Sequence, residues 1–122
     1  MAFSAYWIEG GEVWTADQNT GRVIWHGRPD GRSALSVAAI PSASDAIVLL
    51  HWMGGATSAV RNLIRCRPDG SVVWRAELPR PSDDFYTSVQ WHGERLIGYT
   101  WSGHLCELDG DTGTMLALEF VK

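Results

Sequence analysis

The side chains able to do chemistry are few and badly spaced for it. Four histidines occur, at 26, 51, 92 and 104, three of them beside a tryptophan. A metal site would need them, with Asp83, Asp84 or Glu107, to converge at about 2 Å from one ion. Neither an HxH nor an HExxH spacing is present, so they read as ordinary surface or half-buried histidines. Acid/base work would draw on Asp83-Asp84, Glu107, Asp109 and Asp111. The turn Asp109-Gly110-Asp111-Thr112-Gly113 begins like a calcium loop, but the twelfth position, which must be acidic, is Phe120. Asp17 and Asp109 therefore read as turn formers whose carboxylates accept nearby backbone N–H groups. The serines lack a GxSxG elbow, and neither GxGxxG nor a P-loop occurs. Cys66 and Cys106 sit in no CxxC pair and read as reduced, partly buried thiols. No catalytic residue, metal ligand or cofactor is expected, and the chain reads as not an enzyme.

Binding is the better use of what remains. The two most irregular connections are Met53-Gly54-Gly55-Ala56-Thr57-Ser58 and Pro79-Arg80-Pro81-Ser82-Asp83-Asp84-Phe85. Loops on a rigid β scaffold are where binding residues concentrate. A partner site is expected at Trp52, Arg80, Asp83, Asp84, Phe85 and Tyr86.

Bulk properties narrow the partner. A net charge of −4, with ten Lys and Arg scattered singly, argues against a phosphate backbone. The start MAFSAYWIEGG lacks a basic segment and an apolar run, and the longest apolar stretch, Ala46 to Leu50, is far short of a membrane span. The expectation is a cytoplasmic protein that meets neither nucleic acid nor membrane. Seven tryptophans in 122 residues read first as packing at sheet contacts, because indole is large and needs its N–H satisfied.

The elements that would position these residues are strands. Short apolar stretches, often alternating, recur about every ten residues between turn clusters, the signature of all-β meanders. The pattern predicts strands at Ala5–Glu9, Glu12–Ala16, Arg22–His26, Ala34–Ile40, Ala46–Trp52, Val60–Cys66, Ser71–Leu78, Tyr86–Trp91, Arg95–Trp101, His104–Leu108 and Met115–Val121. Asn19-Thr20-Gly21, Pro68-Asp69-Gly70, His92-Gly93 and Ser102-Gly103 supply the turns, with glycine giving positive φ.

The strands repeat as a group. Residues 11–21, GEVWTADQNTG, align without a gap on 103–113, GHLCELDGDTG, an offset of 92. Gly11/Gly103, Asp17/Asp109, Thr20/Thr112 and Gly21/Gly113 are identical. A middle copy places Gly70 between the outer two, and Trp74 follows Gly70 by four residues as Trp25 follows Gly21. Units of 40–50 residues with four short strands have the size of a propeller blade, WD40-like in length. One domain, 1–122, is expected, with units of about 1–31, 32–79 and 80–122. A second register, RPDG at 28–31 and 67–70, does not extend into the flanking strands and reads as a recurring turn.

The stretch Asp17-Gln18-Asn19-Thr20-Gly21-Arg22-Val23-Ile24-Trp25 resembles the D-x-x-T-G-K-x-x-W signature of PQQ-like (quinoprotein-type) β-propeller repeats, with Arg22 where lysine is usual. The resemblance implies that Trp25 and Trp74 dock on the neighbouring blade, stacking on the peptide plane at a glycine. In the third copy Ala117 stands where that tryptophan should be. The family's dehydrogenases hold quinone and calcium in a ring of eight blades with a pair of adjacent cysteines. This chain has neither the blades nor the cysteines, so no cofactor, metal or catalytic residue is carried over.

The fold expected is all-β: about 2.75 four-stranded antiparallel blades of a partial propeller, with a β-sandwich or barrel as the alternative. Structural roles fall to Asp17, Thr20, Gly21, Trp25, Gly70, Trp74, Asp109, Thr112 and Gly113. Three units do not close a ring, and open apolar faces invite association. The function expected is a non-enzymatic protein–protein interaction module, a homodimer through its blade faces, that binds or inhibits a protein partner. The alternative is a carbohydrate-binding, lectin-like module built on Trp and Tyr faces. An enzyme assembled across a subunit interface has no motif behind it.

Overall fold

The computed structural model describes residues 4–40, 43–52, 60–81 and 83–121. Alternating side chains and glycine turns give eleven strands there, joined as antiparallel meanders. The first sheet holds β1 (Ser4–Glu9), β2 (Glu12–Asp17) and β3 (Val23–Gly27). The second holds β4 (Ala34–Ala39), β5 (Ala46–Leu50), β6 (Leu63–Cys66) and β7 (Val72–Arg75) in that order. The third runs through β8 (Tyr86–His92), β9 (Arg95–Thr100), β10 (His104–Leu108) and β11 (Met115–Phe120). None closes into a barrel, and the chain is all-β with blade-like repeats, as in a partial propeller rather than a sandwich.

The two copies of the repeat share their irregularities. The β2–β3 pairing slips between Thr15 and Ala16, and the β10–β11 pairing slips between Glu107 and Leu108. Those are the same positions at the 92-residue offset. Trp25 pairs with Thr15, and Ala117 pairs with Glu107, so the tryptophan and its replacement hold one register.

Two predicted strands are shorter than their apolar stretches suggested. Before β6, Asn62 turns its carboxamide to another segment: Nδ2 donates to the Tyr86 carbonyl at 2.8 Å, and Oδ1 accepts the Tyr86 N–H at 2.8 Å. After β7, Ala76 N–H still reaches the Leu63 carbonyl, but Glu77 N–H leaves for Gly113. A turn of 3-10 helix at Pro29–Gly31 joins the first two sheets, whereas the second RPDG closes the β6–β7 hairpin. The two identical tetrapeptides thus do different jobs.

The chain divides into two compact units, Met1–His51 with Ile64–Val73 and Trp52–Leu63 with Trp74–Lys122. In the first, Val13, Ala34, Val48, Leu50, Ile64 and Cys66 form a buried cluster edged by Tyr6, Ile8, Trp25, Val37 and Val72. In the second, Leu63, Tyr86, Leu96, Ile97, Cys106 and Leu108 are buried. Gly98 admits the Tyr86 ring, since a Cβ there would come within 2.6 Å of it.

Candidate interaction surfaces

The loop after Pro79 is organised by one carboxylate. Asp84 is 1% exposed, and its Oδ1 accepts the N–H groups of Phe85 at 3.0 Å and Ser102 at 3.1 Å. Its Oδ2 takes the Ser102 hydroxyl at 2.6 Å. A buried carboxylate is tolerated where donors surround it this way. Ser102 Oγ also lies 2.8 Å from His104 Nδ1 and 2.9 Å from Thr100 Oγ1, and Thr100 Oγ1 accepts the His104 N–H at 3.1 Å. The three residue types of a nucleophilic triad are present, but serine sits in the middle. Its proton belongs to Asp84, so His104 Nδ1–H must donate to Oγ and cannot act as its base. The network fastens the 84–85 and 100–104 segments together and activates nothing.

What it fastens is an aromatic stack. Trp52 and Phe85 lie 5.1 Å apart at 10°, and Phe85 and Trp101 lie 6.0 Å apart at 23°. Trp101 ends the row 54% exposed. Arg80 and Asp83 form an ion pair at the surface of the same loop. Tyr86 is placed differently from its loop neighbours: it is fully buried, its hydroxyl donates to the Glu77 carbonyl, and burial raises its pKa. Of the six residues picked from sequence, Trp52 and Phe85 stack, Arg80 and Asp83 pair, and Asp84 and Tyr86 support from beneath. Trp101 and Ser102 were not picked, although the Trp-Ser-Gly turn follows an apolar strand, the usual place for a presented aromatic. The 53–58 connection and Ser82 lie outside the described residues.

A second aromatic row lies on the first sheet, on the face opposite Val13. Trp7 and Trp14 stack at 6.0 Å, and Trp14 and His26 stack at 4.1 Å. His26 Nδ1 also lies 3.2 Å from Glu12 Oε1. The Trp14 Nε1–H is buried without an acceptor among the described residues. Val23, Ile24 and Trp7 in this sheet, and Leu116, Leu118 and Phe120 in β11, are among the large apolar side chains exposed to water, with Leu35, Trp101 and Val121.

Each unit also has an indole that covers a glycine. Trp25 covers Gly70 within the first unit, where a Cβ would come within 2.4 Å of the ring. Trp74 covers Gly113 within the second, where a Cβ would come within 2.7 Å, and its Nε1–H donates to the Gly110 carbonyl at 2.9 Å. Both glycines hold positive φ, +86° and +75°. Asp17 Oδ1 accepts the N–H groups of Asn19 and Thr20, and Asp109 Oδ1 accepts that of Asp111. These backbone donors hold the Asp17 carboxyl below the usual range, and Ser71 does the same for Asp69.

Among the described residues no three of His, Cys, Asp and Glu come together as metal ligands. Cys66 and Cys106 are free and buried. Burial, with Asp45 and Asp69 nearby, pushes the Cys66 thiol up to about 12, and burial pushes that of Cys106 up to about 11. Neither is a nucleophile at neutral pH. No helix among the described residues is long and apolar enough to cross a membrane.

Residues 37–120, from within β4 to the end of β11, match a domain of unknown function, DUF7957. The chain belongs to the DUF7957 family. No curated protein matches the sequence. Among solved structures, the chain is similar to BamB from Moraxella catarrhalis, with a TM-score of 0.60 at 16% identity over 98% of this chain and 34% of that one. It is equally similar to the computationally designed Ika8 protein, with a TM-score of 0.60 at 12% identity over 98% of this chain and 33% of that one. This DUF7957 chain spans about a third of the length of either structure. At such identities the likeness shows the fold, a partial, open β-propeller-like arrangement of blades. It also corrects the cytoplasmic reading: BamB is a periplasmic, outer-membrane-associated protein, so this fold gives no ground for a cytoplasmic location.

Proposed function

We propose that this DUF7957 chain is a non-enzymatic protein–protein interaction module of PQQ-like repeat type, which associates with a second copy through its open sheet faces and binds, and thereby scaffolds or inhibits, a protein partner. The observation that carries the proposal is the Trp52–Phe85–Trp101 stack. Three stacked, roughly parallel rings end at an exposed indole and are braced by a buried carboxylate that does no chemistry. Rigid aromatic side chains presented by a fixed loop contribute contact area at little entropic cost, as interface hot spots do. Arg80 and Asp83 supply a charged rim. The likeness to BamB supports a scaffold-type role without naming a partner. The PQQ-like assignment is supported by the two indole–glycine contacts. A homodimer is favoured by the exposed Val23, Ile24, Leu116, Leu118 and Phe120, apolar surface that association removes from water.

The test is a comparison of proteins captured by the wild-type chain and by Trp101→Ala. A partner retained by the first and lost by the second supports the proposal, and identical captures refute the assigned surface.

The second reading, a carbohydrate-binding module, has one observation in its favour: the partly exposed Trp7–Trp14 pair offers two nearly parallel indole faces. Titration of tryptophan fluorescence with simple sugars separates the readings, since the protein-binding account expects no response.

A further inference from the structure

One turn is built twice in this chain, at Asp17–Gly21 and Asp109–Gly113, and a turn one residue shorter, in which Gly70 N–H reaches the Arg67 carbonyl, takes its place between them. Gly113 is buried beneath Trp74, and Gly70 is half-buried beneath Trp25. At Gly21 the same turn is exposed, and a Cβ there would meet no atom within 4 Å. The backbone at Gly21 is otherwise a copy of that at Gly113. φ is +73° against +75°. Gly21 N–H donates to the Asp17 carbonyl at 2.8 Å, and Gly113 N–H donates to the Asp109 carbonyl at 2.8 Å. Asp17 N–H reaches the Arg22 carbonyl, and Asp109 N–H reaches the Thr114 carbonyl, each at 2.8 Å. The carbonyl that accepts the Trp74 indole N–H belongs to Gly110, and its counterpart beside Gly21 belongs to Gln18.

We infer that the Asp17–Gly21 turn is an acceptor for a tryptophan indole carried by the outer strand of a partner protein's β-repeat, the ring lying over Gly21 and its N–H donating to the Gln18 carbonyl. The occupant's chemistry is read from the one true copy of the turn, where Trp74 covers Gly113 and donates to Gly110, and from the shorter turn, where Trp25 covers Gly70. A second copy of this chain is a poor donor. The strand position that bears Trp25 and Trp74 bears Ala117 in the third sheet, at the same register and beside the same bulge. A methyl group can neither cover the glycine nor donate to the carbonyl. The inference builds on the reading of open sheet faces as docking surfaces and adds which side chain docks and where.

Ala117 is exposed, so the missing donor can be installed without disturbing the core. The experiment compares wild type, Ala117→Trp, Ala117→Phe and the double variant Ala117→Trp/Gly21→Ala by light scattering across a dilution series, with thermal melts to confirm folding. Ala117→Trp is expected to tighten self-association at least tenfold. Ala117→Phe should recover little of this, lacking the N–H, and the double variant should lose it, since neither occupied turn has room for a Cβ. Gly21→Ala alone should leave wild-type association unchanged. The inference is overturned if Ala117→Trp associates no more than wild type, if phenylalanine serves as well, or if the gain survives Gly21→Ala. It is also overturned if Gly21→Ala by itself abolishes wild-type association, because a second copy would then already occupy the turn. A wild-type monomer would sink the homodimer proposal and leave these outcomes readable.

Discussion

Trp25 lies over Gly70 so closely that a methyl group on that α-carbon would come within 2.4 Å of the indole. The contact joins the outer strand of the first sheet to the β6–β7 hairpin within one compact unit. It depends on glycine for two separate reasons, the left-handed backbone and the ring above it.

The two reasons are separable by substitution. Gly93 also holds positive φ, but open space surrounds it. Gly93→Ala should cost about 1 kcal/mol, the left-handed penalty alone. Gly70→Ala should cost about 3 kcal/mol or more, because the indole must also move. Urea denaturation of both variants checks this, and equal losses would show that the indole contributes nothing.

The Trp74 contact adds a polar term. Trp74→Phe keeps an aromatic ring over Gly113 but removes the N–H that donates to the Gly110 carbonyl, for an expected loss of about 1 kcal/mol. Trp74→Ala should lose about 3–5 kcal/mol. The same denaturation measurement applies.

Asp84 is predicted to matter through position. Asp84→Asn puts an amide where three donors converge, so one donor faces another, at a cost of about 1–3 kcal/mol. The Trp101 indole should lose its fixed orientation, read as a change in tryptophan fluorescence anisotropy. Unchanged anisotropy would mean the stack holds without the carboxylate.

Stability should fall at both ends of the pH range. Asp17 and Asp69 have lowered pKa values in the folded state, so their contribution is present above the unfolded value of about 4 and is lost as pH falls through the folded ones. The thiols of Cys66 and Cys106 are raised to about 12 and about 11. Both are neutral in either state below the unfolded pKa of about 8.5, and above it the unfolded chain ionises first. Stability should therefore decline from about pH 8.5 upward, and native-state alkylation at pH 8 should be negligible. Rapid alkylation of the folded protein would contradict the burial of both residues.

The repeat was legible because its anchors are fixed by backbone chemistry. A glycine at positive φ followed four residues later by a tryptophan leaves a mark that survives divergence elsewhere, and Gly21, Gly70 and Gly113 all keep that conformation. Strand ends were less legible. Asn62 and Glu77 sit in apolar stretches that read as strand, yet each sends a hydrogen bond to a distant segment and ends the ladder. Asp84 and Tyr86 read as exposed because they follow a proline-rich loop. Their burial depends on Ser102 and Glu77, far along the chain, which no local pattern encodes. Trp101 reads as the last residue of the Arg95–Trp101 strand, and its stacking on Phe85 is a tertiary relationship that no local pattern shows.

The most direct test of the account is the mass of the wild-type protein in solution, by light scattering during size exclusion at micromolar concentration. An interaction module that covers its open sheets with a second copy should elute at twice the chain's 13.5 kDa. A compact particle of 13.5 kDa at every concentration would contradict it.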